Sequence, residues 1–381
     1  MTSGKTSWRQ FTLRAFCVFV TAVCLALAAG ARHLHTIARE QQAVRAILAY
    51  GGDVGLEVPA GQPPSGPDSE PGRLLEQPAW KLAFTGRPQA IRAWLLVDQD
   101  QDQILGELTA LGALRELSLS GALEDAPAAA LRHLYALEEL QIASSSLSAA
   151  AIESVLPRQL KKLKLSEVDL GALEGREVSW PRGLAELDVQ GCSRLTGRVL
   201  GKLLHPELEK LSVNGADLTD QDLATVVAPD SLRSLDVRRA GSLSAAGLNR
   251  LLGRSLEALR LDSPNVTDAD IEVLRLPTNL HWLDLTGCDQ LTNRSVELIV
   301  HRCPGIEWLT LSGDHIDGGC IPALNALPAG YLDLRRTSIT REALAPLASG
   351  RSIHSRIICK GGEFWGARFV PQAEVERAML E

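Results

Sequence analysis

One pattern of aliphatic residues recurs along most of the chain at a nearly constant interval. It is a hexad of the form L-x-x-L-x-L. Nine clear copies begin 23 to 26 residues apart, at Leu114, Leu137, Leu160, Leu184, Leu208, Leu232, Leu256, Leu280 and Ile306. A fixed period of this kind constrains the fold strongly, because each repeat is one structural unit that must bury its apolar side against the next.

Two weaker copies extend the series at its ends. Ile91-Trp94-Leu96 precedes the clear hexads and Ala329-Leu332-Leu334 follows them, while residues 353–358 are interpreted as a degenerate last turn. In each hexad the L-x-L half has the period of two that is typical of a strand, so its leucines lie on one side of that strand. Stacked in parallel, such strands would join their leucines into continuous buried rows.

A second motif follows each strand and predicts a short helix. It reads Leu218-Thr219-Asp220 in one repeat and Val266-Thr267-Asp268 in another. Thr is a favoured N-cap, and apolar residues recur after it at helical spacing. The prediction is an α/β solenoid of about ten repeats of 23–26 residues, with parallel strands on the concave face and short helices on the convex face.

The combined motifs resemble those of leucine-rich repeat proteins over roughly residues 91–358. The run from Leu283 to Cys288, with Leu291-Thr292 and Cys303-Pro304 after it, is similar to the cysteine-containing subtype. The run from Leu187 to Cys192 is a second match, but most other units lack the cysteines. The resemblance implies a right-handed solenoid in which the cysteines are small buried fillers.

An apolar run without charge occupies residues 15–31, after Arg9 and Arg14. A membrane span needs about 20 apolar residues, with a lower limit near 17, and the core of a signal peptide is shorter. We interpret the run as a transmembrane anchor. A cleaved signal segment, for which A-x-A patterns end at Ala28 and Ala31, and a buried soluble helix remain open. The helical pattern continues beyond the run, which predicts one long helix leaving the bilayer.

Composition supplies the remaining boundaries. The predicted parts are a short basic tail (1–14), the anchor (15–31), a helix and strand leading out of the membrane (32–58), a Pro/Gly-rich linker (59–73), the solenoid with an N-terminal cap (74–358) and a C-terminal cap or tail (359–381). Short strands over 54–58 and 80–84 are predicted to cap the first repeat. Phe364 and Trp365, with a helix over 373–380, are predicted to cap the last.

Charge and topology limit the location and the partners. The numbers of arginine and lysine residues are equal on the two sides of the apolar run, so they do not determine its orientation in the membrane. A short N-terminal tail before a large domain favours a single-pass protein whose repeats lie on the extracytoplasmic side. The arrangement of anchor, Gly51-Gly52 and repeats also resembles bacterial membrane-anchored repeat proteins. Beyond residue 31 the chain has 36 basic and 46 acidic residues, which argues against nucleic acid as the main partner. We expect a monomer.

Three aromatic residues occupy equivalent positions in successive repeats. The third position of each hexad points away from the core, and in three adjacent strands it is Trp282, Trp308 and Tyr331. The fifth positions alongside include Asp284 and Asp333, with Arg335 just beyond in the sequence, so these six residues form the predicted partner-binding site. Rigid aromatic side chains are preferred anchors of binding sites, and acids at the edge would suit a basic and apolar partner. Packing of these rings against the protein's own tail, or chance, are the alternatives.

Motifs for catalysis or metal binding are missing from the sequence. It contains no G-x-S-x-G, no G-x-x-x-x-G-K-[ST], no H-E-x-x-H and no C-x-x-C pair. The one concentration of His and Asp, Asp314–Gly319, falls in a turn, where turn chemistry explains it. We therefore expect no catalytic residue, no metal and no cofactor.

These observations predict a non-catalytic, membrane-tethered scaffold that binds a protein or peptide on the concave face of the repeats. Two other interpretations remain. One is a cytoplasmic substrate-receptor adaptor, because the cysteine-containing subtype resembles that half of ubiquitin-ligase adaptors, although no F-box-like module precedes the repeats. The other is a structural envelope protein, secreted after signal cleavage.

Overall fold

The computed structural model describes residues 13–57, 78, 89–97, 101–143, 147–148, 152, 156–175, 179–215, 218–239, 243–349, 355–365 and 368–371, with side chains from residue 20 onward except at residues 57, 89, 101, 102 and 172. The predicted linker over 59–73, the predicted strand over 80–84 and the predicted helix over 373–380 lie outside the described residues.

The described residues form one sheet of fifteen strands in chain order. The strands are β1 Asp53–Glu57, β2 Gln89–Val97, β3 Glu116–Gly121, β4 Glu139–Ala143, β5 Lys162–Ser166, β6 Glu186–Gln190, β7 Lys210–Asn214, β8 Ser234–Arg238, β9 Ala258–Asp262, β10 Trp282–Asp284, β11 Trp308–Gly313, β12 Tyr331–Thr337, β13 Arg356–Cys359, β14 Gly362–Trp365 and β15 Arg368–Pro371. Neighbours from β2 to β13 run parallel, whereas β1 pairs antiparallel with β2 and β13, β14 and β15 form an antiparallel meander. The sheet is not closed.

Short helices connect many of the strands. The α-helices are α1 Leu13–Ala49, α2 Gln101–Leu108, α3 Asp125–Ala128, α4 Gly197–Leu203, α5 Asp220–Leu223, α6 Ala245–Leu251, α7 Asp268–Val273, α8 Asn293–Arg302, α9 Ile321–Asn325 and α10 Arg341–Ser349. Short 3-10 helices lie at Ala129–His133, Gly171–Leu173 and Gly318–Cys320. All except α1 are brief, as a period of about 24 residues requires once a strand and two turns have been placed.

The hexad leucines build the core. In β4 and β5 buried and partly exposed side chains alternate, and Leu140 pairs in register with Leu163 on the next strand. Stacking of equivalent leucines continues along the parallel strands, and the buried residues of the helices join the same apolar core. This stacking of parallel strands and short helices around rows of leucines is a leucine-rich repeat fold, so the prediction of a mixed α/β repeat fold is confirmed. The described helices pack on the face of the sheet that carries the hexad leucines. The opposite face, which carries the row from Arg92 to Arg356, has no described helix on it and is the helix-free face.

The predicted Thr and Ser caps begin several helices. Thr219 accepts a hydrogen bond from the backbone N–H of Asp222 at the start of α5, and the Asp222 carboxylate accepts one from the Thr219 N–H. Thr196, Ser244 and Thr292 also accept from backbone N–H groups as N-caps. These bonds satisfy backbone donors that the first turn of a helix leaves without partners.

A row of acidic residues links the helix starts of successive repeats. Asp268, in the first turn of α7, accepts from the N–H of Thr292 at 3.0 Å and from its hydroxyl at 2.6 Å. Asp220 bonds in the same way to Ser244, one repeat later. Each such aspartate therefore fixes the N-cap of the following unit in addition to favouring its own helix N-terminus.

The long N-terminal helix α1 has two different halves. Residues 20–31 are exposed and mostly apolar, with Leu25 and Leu27 more than half accessible. Its second half packs on the first repeats and buries Ile37, Val44 and Ile47. Residues 20–49 are long and apolar enough to cross a membrane by length and composition, which is equally true of a signal sequence. The helix thus joins an apolar exposed segment directly to the cap of the solenoid.

The weaker hexad before the clear repeats lies one residue out of phase with the prediction. The sequence predicts Ile91, Trp94 and Leu96 as its apolar positions, but the buried residues of β2 are Ala90, Ala93, Leu95 and Val97. Trp94 and Leu96 are exposed on the helix-free face. Ala93 pairs with Leu117, which fixes the phase, and a slip of one residue moves every side chain of a strand to the opposite face.

The C-terminal strands close the last repeat. Phe364 is buried and lies beside Ile357 in register, while its ring contacts Phe369 edge to face with centroids 5.0 Å apart. Phe364 therefore covers the core, as a C-terminal cap requires. Trp365, the next residue, points to the opposite side and is 57% exposed.

Candidate functional site

The helix-free face carries one row of side chains from strand to strand in direct register. Along the parallel strands this row consists of Arg92, Glu116, Glu139, Lys162, Glu186, Lys210, Ser234, Ala258, Trp282, Trp308, Tyr331 and Arg356. Its early part is charged and its late part aromatic, so the face divides into two chemically different regions.

Ion pairs connect the charged part of the row. Arg92 contacts Glu116 at 2.8 Å, and Glu186 contacts both Lys210 at 2.6 Å and Lys162 at 3.4 Å. Burial alone would raise the pKa of Glu186, but the hydrogen bonds and positive charges of Lys210 and Lys162 together outweigh it and lower the pKa. Opposite charges on neighbouring strands stabilise a sheet modestly, and here they also satisfy each other. The positive and negative side chains of this region therefore neutralise one another.

The aromatic part of the row brings together the three predicted anchors. Trp282 lies opposite Trp308, and Trp308 lies opposite Tyr331. The rings of Trp308 and Tyr331 stack, with centroids 3.5 Å apart and 17° between the planes. Trp308 is 38% exposed, and Trp282 and Tyr331 are partly exposed. Burial is the main cause that raises the pKa of the Tyr331 hydroxyl, with Asp333 adding to it, so the ring remains a neutral phenol at physiological pH.

The acidic residues beside the aromatic row are close together but almost inaccessible. Asp284 and Asp333 lie in the adjacent row, separated by Thr310. Asp284 accepts hydrogen bonds from the N–H of Thr286 at 2.9 Å and from its hydroxyl at 2.5 Å. Its other oxygen is 3.3 Å from the Nε of Arg260, a distance suited to an ion pair although the angle does not make a hydrogen bond. The Asp284 carboxylate is therefore occupied by groups of the protein itself.

Asp333 holds Arg335 by a forked contact. The Nε of Arg335 donates to Oδ1 at 2.9 Å, and its Nη2 donates to Oδ2 at 2.5 Å. This bond to Asp333 is the main cause that raises the pKa of the guanidinium. The side chain of Asp333 is 9% exposed, whereas that of Arg335 is 58% exposed. In this pair the positively charged guanidinium is therefore the group that is exposed to solvent.

This arrangement differs from the exposed acidic edge that the sequence predicts. The sequence predicts an aromatic row edged by acids and a partner with basic groups. In the structure Asp284 and Asp333 lie beneath Arg260 and Arg335. The accessible charge beside the rings is consequently positive. Strand periodicity predicts the face on which these residues lie, but it does not show that the arginines cover the carboxylates.

The row continues into the C-terminal meander. Arg356 lies opposite Tyr331 on one side and Trp365 on the other, and its guanidinium is 5.7 Å from the Trp365 ring. Arg356 also contacts the buried Glu363 at 2.5 Å, and this bond is the main cause that raises the pKa of the arginine. Trp365 therefore extends the row at the edge of the sheet. Within the described residues the C-terminal strands lie beside the rings of Trp308 and Tyr331 and do not cover them.

A shallow depression of about 430 Å³ unites the site. Its lining contains Trp282, Trp308, Tyr331, Asp284, Asp333 and Arg335, which are the six residues predicted from the sequence. It also contains Thr310, which occupies the fifth hexad position between the two aspartates, and Arg260, Thr286, Leu311 and Arg336, which the sequence does not predict. Arg260 occupies the fifth position of its hexad, one repeat before Asp284, so extending the same row by one repeat would have found it. Arg336 and Glu363 lie outside the hexad register and carry no such signal.

Nucleophilic and metal-binding groups do not converge here. No group of three or more His, Cys, Asp or Glu side chains suited to a metal ion occurs among the described residues. Cys288 is buried and donates to the carbonyl of Leu261 at 3.4 Å, and Cys192 donates to that of Leu165 in the same geometry. Burial raises the pKa of Cys288 to about 12. The cysteines thus fill small spaces in the repeat core.

Two solved structures are similar to this chain in fold. An internalin from Listeria monocytogenes aligns with a TM-score of 0.41 and 16% identity over 69% of this chain and 85% of its own. A yeast complex of Rad7 and Elc1 aligns with a TM-score of 0.39 and 14% identity, covering 63% of this chain and 75% of the other. No profile of a known protein family matches the sequence, and no curated protein matches it.

Proposed function

We propose that this chain is a non-catalytic, membrane-tethered scaffold that binds a protein or peptide on the helix-free face of its repeats. The contact site consists of Trp282, Trp308 and Tyr331, with Asp284, Asp333 and Arg335 beside them. The observation that carries the proposal is the row of three aromatic side chains, in register on adjacent strands and partly exposed in one depression.

Exposed aromatic side chains need a reason when they are clustered. Single apolar residues on a surface are common, but a group in contact costs solvation free energy that a partner recovers on binding. The seven tryptophans and three tyrosines of the chain are few, and three of these ten occupy adjacent positions of one row. Because each aromatic side chain has only two rotatable bonds, ordering it on binding loses little entropy.

The first half of α1 supports the tether. Residues 20–31 are mostly apolar and exposed, and they lead without interruption into a second half that is packed in the solenoid. A soluble protein gains nothing from an exposed apolar helix of this length, whereas a bilayer would surround it. We propose a single span over residues 15–31, a monomer, and repeats on the extracytoplasmic side.

A site-specific cross-linker tests the binding site directly. A photoreactive phenylalanine analogue replaces Trp308 in the full chain in its native membrane, and the matched control carries the analogue at Lys162 in the ion-paired region. We expect protein adducts from position 308 that are several-fold more abundant than those from position 162. Equal labelling from both positions, or none from 308, would contradict the placement of the site.

A second measurement tests the tether. Alkaline carbonate releases peripheral proteins and leaves spanning ones in the membrane pellet. We expect the full chain to stay in the pellet, while a chain that begins at residue 32 is released. Release of the full chain would mean that the apolar segment is cleaved or does not span.

A further inference from the structure

We infer that the partner segment is acidic as well as apolar, with carboxylates that bind the exposed guanidinium groups around the aromatic row. The inference rests on the proposed function and adds the chemistry of the ligand. Three arginines and two aspartates line the depression, a formal excess of one positive charge in a chain whose net charge is −7. The local sign is therefore opposite to that of the whole molecule.

Exposure determines which charges a partner meets. The side chains of Asp284 and Asp333 are both 9% exposed, whereas those of Arg260 and Arg335 are 36% and 58% exposed. Arg356 repeats the arrangement over Glu363, which is almost completely buried. In all three pairs the carboxylate is beneath and the guanidinium is on the surface. A basic partner would meet like charges first, and an acidic partner would meet opposite ones.

The buried carboxylates also prepare the arginines for binding. Asp333 engages the Nε and Nη2 of Arg335, which leaves the Nη1 donors of this planar group directed elsewhere. A guanidinium held in one orientation loses less entropy on binding a carboxylate than a free side chain does. Arg356 is held in a comparable way between Glu363 and the Trp365 ring.

Strand spacing sets the spacing of the ligand's charges. Arg260 is on β9 and Arg335 on β12, three strand intervals away, which is roughly 14 Å. An extended peptide covers that distance in about four residues. Trp308 lies on β11, between the strands of the two arginines, and its ring stacks on Tyr331, which shares β12 with Arg335. A segment with two acidic residues about four positions apart and an apolar residue between them matches this layout.

Nucleic acid fits the same surface less well. Its recognition needs a continuous positive stripe along the phosphates, and the rest of the row is occupied by matched ion pairs such as Lys210 with Glu186. The positive charge here is confined to one depression and interleaved with apolar rings. This pattern favours a short peptide contact over a polyanion track.

Synthetic copolymers test the inference without knowledge of the natural partner. The full chain in nonionic detergent is titrated into fluorescein-labelled poly(Glu,Tyr), poly(Lys,Tyr), poly(Glu) and an oligodeoxythymidylate, and anisotropy gives each affinity at fixed salt. We expect poly(Glu,Tyr) to bind at least about tenfold more tightly than each of the other three. Equal or tighter binding of poly(Lys,Tyr), poly(Glu) or the oligonucleotide would overturn the inference.

A double variant identifies the arginine responsible. Asp333→Asn with Arg335→Gln removes the exposed charge without leaving a buried carboxylate alone, so the fold is kept, as circular dichroism would verify. We expect about a tenfold loss of poly(Glu,Tyr) affinity. Arg92→Gln with Glu116→Gln, at the far end of the same row, is the matched control and should change nothing. Equal behaviour of the two double variants would contradict the inference.

The cross-linking experiment separates the two proposals. If position 308 captures a protein in membranes while poly(Glu,Tyr) does not bind, the scaffold function stands and its acidic specificity is wrong. If neither is observed, the placement of the site and its acidic specificity are both wrong. If poly(Glu,Tyr) binds through Arg335 and position 308 captures an acidic protein segment, both are supported.

Discussion

The indole of Trp308 lies face to face with the phenol of Tyr331, with ring centroids 3.5 Å apart on neighbouring parallel strands. Two large rings in contact on an open surface make a preformed apolar platform. Because each ring limits the rotamers of the other, the platform is ordered before any partner arrives. The arginines beside it are held by buried carboxylates, so charge and shape are both fixed in advance.

The stack itself should contribute to stability. We expect a coupling free energy of about 0.5–1.5 kcal/mol between Trp308 and Tyr331, since aromatic pairs in contact stabilise each other beyond their buried area. A double-mutant cycle with Trp308→Ala and Tyr331→Ala, measured by urea unfolding in detergent, gives this value. The pair Trp282 and Tyr331, two strands apart, is the control, for which additive effects are expected. Additivity for both pairs would mean that the observed stack has no energetic role.

The aspartate links between repeats give a second prediction. Asp268→Ala leaves the N–H and hydroxyl of Thr292 and the hydroxyl of Ser295 without their acceptor. We expect the free energy of unfolding to fall by about 2 kcal/mol. Asp314→Ala removes an exposed carboxylate from a turn and should change stability by less than about 0.5 kcal/mol. Thermal unfolding of both variants beside the wild type is the measurement, and equal effects would refute the link.

Much of the fold can be predicted because the same hexad recurs and each copy indicates the same buried strand. Every clear hexad places its leucines in the core, since a leucine row in one repeat requires a leucine row in the next. The phase of β2 was not predictable in the same way. Residues 91 to 97 are apolar at almost every position, so two phases fit equally well, and only pairing of Ala93 with Leu117 selects one.

The candidate site was predictable in position but not in charge. Strand periodicity places Trp282, Trp308 and Tyr331 on one row, and that relationship needs no tertiary detail. The burial of Asp333 beneath Arg335 depends on side-chain conformation, which the sequence pattern does not specify. Trp365 joins the row through an antiparallel meander whose register is set by the turn and not by the repeat.

Acid should weaken the same aspartate links. For Asp268 burial alone would raise the pKa, but the hydrogen bonds from Ser295 and Thr292 outweigh it and lower the pKa below the usual value of 3.8. Asp222 shifts in the same direction through its bonds to Thr219. A depressed folded-state pKa adds stability that is complete above the unfolded pKa and is lost as pH falls through the folded pKa. We expect the melting temperature to drop below about pH 5 and to drop less steeply in Asp268→Asn. An unchanged pH dependence in that variant would contradict this assignment.

Thiol reactivity should report the integrity of the repeats. Burial raises the pKa of Cys288 to about 12 and of Cys303 to about 11. At pH 8 the thiolate fraction of Cys288 is on the order of one in ten thousand, and its sulfur is also inaccessible. We expect iodoacetamide to leave both cysteines unmodified in the folded chain and to alkylate both in urea, as followed by peptide mass spectrometry. Rapid alkylation of Cys288 without denaturant would show that the repeat core opens locally.

Helix α1 should be divisible at the point where its environment changes. Leu27 is exposed and Ile47 is fully buried against the first repeats. A chain that begins at residue 32 keeps Ile37, Val44 and Ile47 and should unfold cooperatively. A chain that begins at residue 52 loses all three, which removes about 5 kcal/mol or more of apolar burial, a large part of a domain's stability.

Single substitutions give the matched control for this division. Ile47→Ala should destabilise the solenoid by about 2–5 kcal/mol because it leaves a cavity in the cap, whereas Leu27→Ala should leave the unfolding transition in detergent unchanged. The measurement is the free energy of unfolding of both variants and both truncated chains, obtained by chemical denaturation. If the chain from residue 52 proved as stable as the chain from residue 32, the helix would not be the cap. In that case the apolar surface of β1 and β2 would have to be covered by another part of the chain.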